Sequence, residues 1–221
     1  ANANKYSWVW KKSCITNRNK VFMHLSLLIH EINNTDLQYL NVEIGTRQEY
    51  SVEYVEFILS EYEKLMDVDI STFVYGSGKR KTKVQKHYEK LVDYLDRLRK
   101  YAYRIKTCGD SRNSYSKTDP GATFMRNKRD YMGNDQLLPC YNVQVGICDE
   151  YIAVMDVQQF TSDMDCFIPL MDKFSKTYGF YPHYPVADAG YGSYNNYLFC
   201  QQKGMKKFMK FTMFNKETTD K

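Results

Sequence analysis

A carboxylate at the end of an apolar run, followed by two glycines, is the feature of this chain best suited to chemistry. It lies in Tyr184-Pro185-Val186-Ala187-Asp188-Ala189-Gly190-Tyr191-Gly192-Ser193. The run reads as a short strand, the glycines as a tight turn, and Ser193 as the cap of a following helix. Asp188 is thereby set at the carboxyl edge of a strand, where open α/β sheets present ligand-binding groups. With no Lys or Arg beside it in sequence, it suits a hard divalent cation such as Mg²⁺. An Asx-turn, with Asp188 accepting from the backbone two residues on, fits the same residues.

The other polar groups invite plainer readings. Asp156 is expected on the solvent face of a strand or in a salt link, and Asp119, just before Pro120, in a turn or cap. Asn142 and Gln144 share one face of a strand and suit hydrogen bonding within a sheet. His24, His30 and His87 fall in helical segments as packing or surface residues, and His183 belongs to a turn. The six cysteines form no C-x-x-C pair and have no regularly spaced His partners, which argues for free thiols rather than zinc or a disulfide framework.

The elements that must position Asp188 follow from periodicity. Residues 6–11 alternate as a strand, with Trp8 and Trp10 on one face as core anchors. Residues 21–32 form a buried helix and residues 48–66 a second. Residues 75–80 are a basic linker, and residues 84–105 a long amphipathic helix with Tyr88, Leu91, Leu95, Leu98, Ala102 and Ile105 on its apolar face. A polar boundary at residues 109–117 precedes a change to strands. Residues 141–147 and 151–160 alternate about a turn at Cys148-Asp149-Glu150 and make a hairpin. A helix capped at Thr161-Ser162-Asp163 runs to Tyr178, closed by Gly179. The strand ending at Asp188 comes next, then a helix from Ser193 to near Gly204, and a strand over residues 207–214. From residue 138 the order is β-β-α-β-α-β, a mixed α/β sheet rather than a helical bundle.

The chain has 221 residues, 43% of them hydrophobic, enough for a core in one large domain or a domain with an insertion. The net charge of +5 is gathered in clusters: Lys79, Arg80, Lys81 and Lys83; Arg126, Lys128 and Arg129; Lys203, Lys206, Lys207 and Lys210. Such clusters suit phosphate contacts, and equally a solvated surface. Twenty tyrosines and twelve phenylalanines interleave with them, a composition compatible with stacking on bases. No apolar stretch approaches the ~20 residues needed to span a bilayer. The opening residues have no initiator Met and run directly into a strand, so the chain reads as part of something longer.

Three segments stand in order: Thr118-Asp119-Pro120-Gly121-Ala122-Thr123-Phe124-Met125, Tyr141-Asn142-Val143-Gln144, and Ala187-Asp188-Ala189-Gly190-Tyr191. With the opening Ala1-Asn2-Ala3-Asn4-Lys5-Tyr6-Ser7-Trp8-Val9-Trp10-Lys11-Lys12, they resemble the DDE transposases of bacterial insertion sequences. The resemblance is densest over residues 1–13 and 117–215. It implies an α/β, RNase H-like mixed sheet with a helical insertion: a core strand in residues 1–15, the insertion in 16–112 and the rest of the core in 113–221. It also implies an Asp-Asp-Glu triad holding two Mg²⁺ (or Mn²⁺) ions, which activate the nucleophile and stabilise the leaving oxygen in phosphodiester displacement. Asp188 matches the second Asp. The first Asp belongs on a strand before Ala1 and the Glu on a helix further on; Glu217 has no helix around it and is not assigned the role. This chain alone is therefore expected not to cleave DNA.

The partners implied are DNA, both insertion-sequence ends and target, and further copies of the chain in a synaptic homodimer or larger complex, in a bacterial cytoplasm at the nucleoid. Lys79, Arg80, Lys81, Arg126, Lys128, Lys206 and Lys207 are the candidate DNA contacts. A non-catalytic nucleic-acid-binding remnant of the same fold is the competing reading, and a nuclease of similar fold would share the metal chemistry.

Overall fold

The computed structural model describes residues 7–127, 133, 135–211 and 213–214. Tyr6, Lys128, Arg129 and Glu217, named above, lie outside them. The chain is mixed α/β and divides into two compact units, one of Val9–Gly109 and one of Ala1–Trp8 with Asp110–Lys221.

The first unit is helical. Helix α1 (Lys11–Thr35) starts directly after strand β1 (Trp8–Trp10) and buries Val21, Leu25, Leu28, Ile29 and Ile32, a stripe at helical spacing. Helix α2 (Val52–Met66) is capped by Ser51, whose hydroxyl accepts the Tyr54 N–H, and buries Val55, Ile58 and Tyr62. Helix α3 (Lys83–Cys108) is capped by Thr82 and contributes Leu91, Leu95 and Leu98 to the same core. Beyond Leu98, Tyr101 still packs against that core, but Ala102 is exposed and Ile105 only half-buried. Trp10 is also exposed, and the buried residue of β1 is Val9, on the opposite face. The expectation that both tryptophans anchor the core therefore holds only for Trp8, whose ring packs 4.8 Å from that of Phe124.

This helical unit also buries a polar cluster. His87, 4% exposed, places Nδ1 2.6 Å from Asp36 Oδ2 and Nε2 3.3 Å from Glu31 Oε1, and the Tyr62 hydroxyl donates to Asp36. Burial pushes the Asp36 carboxyl up, but the His87 and Tyr62 hydrogen bonds outweigh it and hold the group below the usual carboxylate range.

The second unit carries the strands. These are β2 (Ser114–Ser116), β3 (Thr123–Arg126), β4 (Leu137–Cys140), β5 (Asn142–Cys148), β6 (Tyr151–Gln158), β7 (Val186–Ala187) and β8 (Phe208–Met209). Among the described residues each sheet has two strands, with β3–β4 and β5–β6 antiparallel and β7–β8 parallel. This differs from the single mixed sheet expected. The β5–β6 hairpin turns at Asp149 and Glu150, both at positive φ (48° and 70°), as a two-residue hairpin turn requires. Helix α4 (Phe167–Tyr178) packs on β6 and ends at Gly179, whose φ of 81° closes it. Phe167, Leu170 and Met171 of α4 meet Val154, Cys200 and Met205 in a second, smaller core. Helix α5 (Tyr194–Gln202), capped by Ser193, links β7 to β8, the crossover that a parallel pair demands.

The strand expected over residues 207–214 is only Phe208–Met209. Its partner β7 offers two paired residues. Beyond them the Lys210 carbonyl accepts the Tyr197 hydroxyl, and the Phe214 N–H bonds back to the Phe211 carbonyl in a turn.

Candidate functional site

Asp188 follows the last residue of β7, with its backbone still extended (φ −74°, ψ 177°). Strands β7 and β8 are held by the Val186↔Phe208 and Ala187↔Met209 pairs. The Pro185 and His183 carbonyls accept the Phe208 and Lys206 N–H groups, both at 2.9 Å. One Asp188 oxygen, Oδ1, accepts the Gly190 N–H at 2.7 Å, so the carboxylate also makes the Asx-turn. The two readings of Asp188 are compatible, because the turn engages Oδ1 and the side chain remains exposed.

The turn is built for close approach. A Cβ on Gly190 would stand 2.9 Å from Asp188 Oδ1 and 3.6 Å from Asp163 Oδ2. One on Gly192 would lie 2.5 Å from the Lys210 carbonyl oxygen and 2.7 Å from the Tyr197 hydroxyl. At Gly190 the obstacle is the Asp188 carboxylate itself, which would have to shift, whereas at Gly192 it is backbone, so only glycine there lets the turn lie against the chain after β8.

A polar network joins this turn to the hairpin. Asp163 Oδ1 accepts from Asn142 Nδ2 at 2.9 Å and from Gln144 Nε2 at 3.2 Å, and Gln144 Nε2 also reaches Asn142 Oδ1 at 2.7 Å. The Tyr191 hydroxyl donates to Gln144 Oε1. Buried Asn196 closes the arrangement by donating to the Met164 and Tyr191 carbonyls at 2.9 and 2.7 Å. Burial raises the Tyr191 hydroxyl pKa, and the nearby Asp163 and Asp188 charges add to it, so this hydroxyl stays a donor at neutral pH. Asn142 and Gln144 thus do more than bond within the sheet: they tie β5 to the turn that carries Asp188. Asp163, read from sequence as a cap, is the residue missed. The clue to it was an acid on the short link between the hairpin and α4.

Asp188 opens onto a groove of about 920 Å³ lined also by Lys207, Phe208, Lys210, Phe211 and Phe214. Of the expected DNA contacts, Lys207 is on this groove, its ammonium 5.1 Å from the Tyr197 ring, and Lys206 precedes it in sequence. Arg126 is exposed at the end of β3, 3.9 Å from Asp135. Lys79 and Arg80 lie exposed in the loop before α3 of the helical unit. Lys81, another candidate DNA contact, pairs with Glu89 at 2.6 Å. Asp156 forms its salt link with Lys173 at 2.9 Å. Burial raises its carboxyl, but the Lys173 ammonium and the Gln158 amide more than offset this and lower it. Asp119 accepts the Gly121 N–H and the Tyr141 hydroxyl, as a turn residue does.

Among the described residues, no three His, Cys, Asp or Glu side chains are grouped to hold a metal ion. Asp188 and Asp163 flank Gly190, but Asp163 Oδ1 is already taken by two amides. No helix among the described residues is long and apolar enough to cross a membrane. Comparison with family models, with curated proteins and with solved structures finds no match to this chain.

Proposed function

We propose that the chain is part of the catalytic core of a DDE-type transposase with an RNase H-like fold, acting on DNA by phosphodiester cleavage and strand transfer. The observation that carries this reading is Asp188 at the carboxyl end of β7, exposed beside a lysine-bearing groove. A carboxylate in that position suits the hard divalent cations that such chemistry uses, and the neighbouring lysines suit a phosphate backbone. Among the described residues no three-ligand group completes a metal site around Asp188. Mg²⁺ would provide nucleophile activation and leaving-group stabilisation once further ligands are present. Asp188 would be one ligand, held by the Gly190 N–H, while Asn142, Gln144, Asp163 and Tyr191 keep its turn in register with the hairpin.

The same absence of a three-ligand group favours the second reading, a nucleic-acid-binding chain that does not cut. Thermal shift across a Mn²⁺ titration separates the two: stabilisation that is lost in Asp188→Asn supports the transposase reading, and no stabilisation supports the second. In a nicking assay on supercoiled DNA with Mg²⁺ or Mn²⁺ both expect the same outcome. The chain alone is expected to bind without nicking. Metal-dependent nicking that disappears in Asp188→Ala would instead mean that a working site exists within these residues.

A further inference from the structure

We infer that the groove beside Asp188 seats unpaired nucleotides, with Phe208 and Phe211 as stacking platforms and Lys207 and Lys210 as phosphate contacts. The inference rests on the nucleic-acid reading above and sharpens it from DNA in general to a locally single-stranded segment.

Phe208 is 59% exposed and Phe211 37%, although apolar rings of this size are ordinarily covered. They do not sit alone. The Tyr184 ring lies 6.1 Å from Phe208, and Phe214 meets Phe211 edge-on at 5.6 Å. Lysines are laid along the same surface: Lys210 Nζ is 5.0 Å from the Phe214 centroid and Lys207 Nζ 5.1 Å from that of Tyr197. Each ammonium therefore stands beside a ring, the interleaving that single-strand binders use.

Charge and shape choose between occupants. Two lysines and one carboxylate line the groove, so it carries net positive charge and favours a polyanion. A duplex would present phosphates to the phenylalanines and hide its base faces, leaving the rings without partners. An unpaired strand offers both faces: phosphates for Lys207 and Lys210, and bases for Phe208 and Phe211. At about 920 Å³ the open groove has room for more than one nucleotide.

The test is fluorescence anisotropy of the chain with a labelled oligo(dT) strand and with a blunt duplex of the same length, at fixed ionic strength. The single strand is expected to bind about tenfold more tightly. Phe208→Ala should weaken single-strand binding about tenfold, as removal of one stacking platform does, while Phe208→Tyr retains it. Lys207→Gln combined with Lys210→Gln should make the fall of log K with log salt shallower, by about 0.7 in slope for each phosphate no longer neutralised. Phe208 is largely exposed, so these variants test the surface and not the fold. Equal affinity for the two DNA forms, or intact single-strand binding in Phe208→Ala, overturns the inference and leaves the DNA reading standing. Binding to neither form overturns both.

Discussion

The helical unit and the α/β unit spend their apolar residues differently. Helices α1, α2 and α3 close around one core in which Val21, Leu25, Ile29, Ile32, Val55, Tyr62 and Leu91 have essentially no exposure. The α/β unit has a smaller core under α4 and leaves the other face of its hairpin uncovered among the described residues. There Val143, Val145, Ile147, Met155 and Val157 are all exposed, Ile147 at 69%. The first pattern is that of a self-sufficient scaffold. The second is that of a surface awaiting further contacts, since contiguous exposed apolar residues mark interaction sites. The candidate chemistry lies in the second unit, where backbone turns and a hydrogen-bond network do the positioning that core packing does elsewhere.

The largest expected effect breaks the scaffold. Leu25→Ala, at a fully buried site, should cost the helical unit about 3 kcal/mol. Hydrogen exchange reads each unit separately and should show the weakening in α1, α2 and α3. Next comes the network. Tyr191→Phe leaves buried Gln144 Oε1 without its donor and should cost about 1–3 kcal/mol, seen as faster exchange in β5 and in the turn after Asp188. Gly192→Ala should cost a comparable amount, because its Cβ would push the Lys210 carbonyl away and displace the segment that lines the groove.

Acid should act on both units, through Asp36 in the first and Asp156 in the second, whose carboxyls are both held below their ordinary range. The folded Asp36 carboxyl titrates below its ordinary value of 3.8, so its contribution is fully present above that pH and is lost as pH falls through the lower folded value. Acid should therefore loosen the helical unit below about pH 4, and Asp36→Asn should diminish that acid-dependent step at the cost of lower stability at neutral pH. The smallest effect belongs to the open hairpin face. Val145→Lys should change stability by less than about 1 kcal/mol, because that residue is already 44% exposed, as thermal unfolding would read.

Legibility in the sequence followed the reach of the interaction. Elements specified by local chemistry were readable: the Gly179 stop, the Ser193 cap, the Asp149-Glu150 turn and the stripe Leu91, Leu95, Leu98 all reflect interactions within a few residues. The order β-β-α-β-α-β was readable for the same reason from Asn142 onward, while β4 (Leu137–Cys140), which pairs with β3, was not expected and puts a third strand in the run from residue 138. What escaped depended on partners distant in the chain. Trp10 alternates correctly with Trp8 but is left exposed, and β8 is limited to Phe208–Met209, the two residues that pair with β7. Asp163 is chemically ordinary until Asn142, Gln144 and Gly190 are brought beside it, and Asp36 until His87 arrives from 51 residues away. Asp188 was legible because its strand, turn and glycines are contiguous.

In the function proposed, Asp188 faces a DNA phosphate path and takes a divalent cation there. The most direct measurement is DNA affinity by anisotropy for the natural chain and Asp188→Asn, each without metal and across a Mn²⁺ titration. The Asn side chain can still accept the Gly190 N–H, so the turn is preserved. Without metal, Asp188→Asn should bind several-fold more tightly, because a carboxylate that repels phosphate has been removed. Mn²⁺ should then tighten binding by the natural chain and leave the variant unchanged. Identical affinities for the two proteins at every Mn²⁺ concentration would contradict the claim.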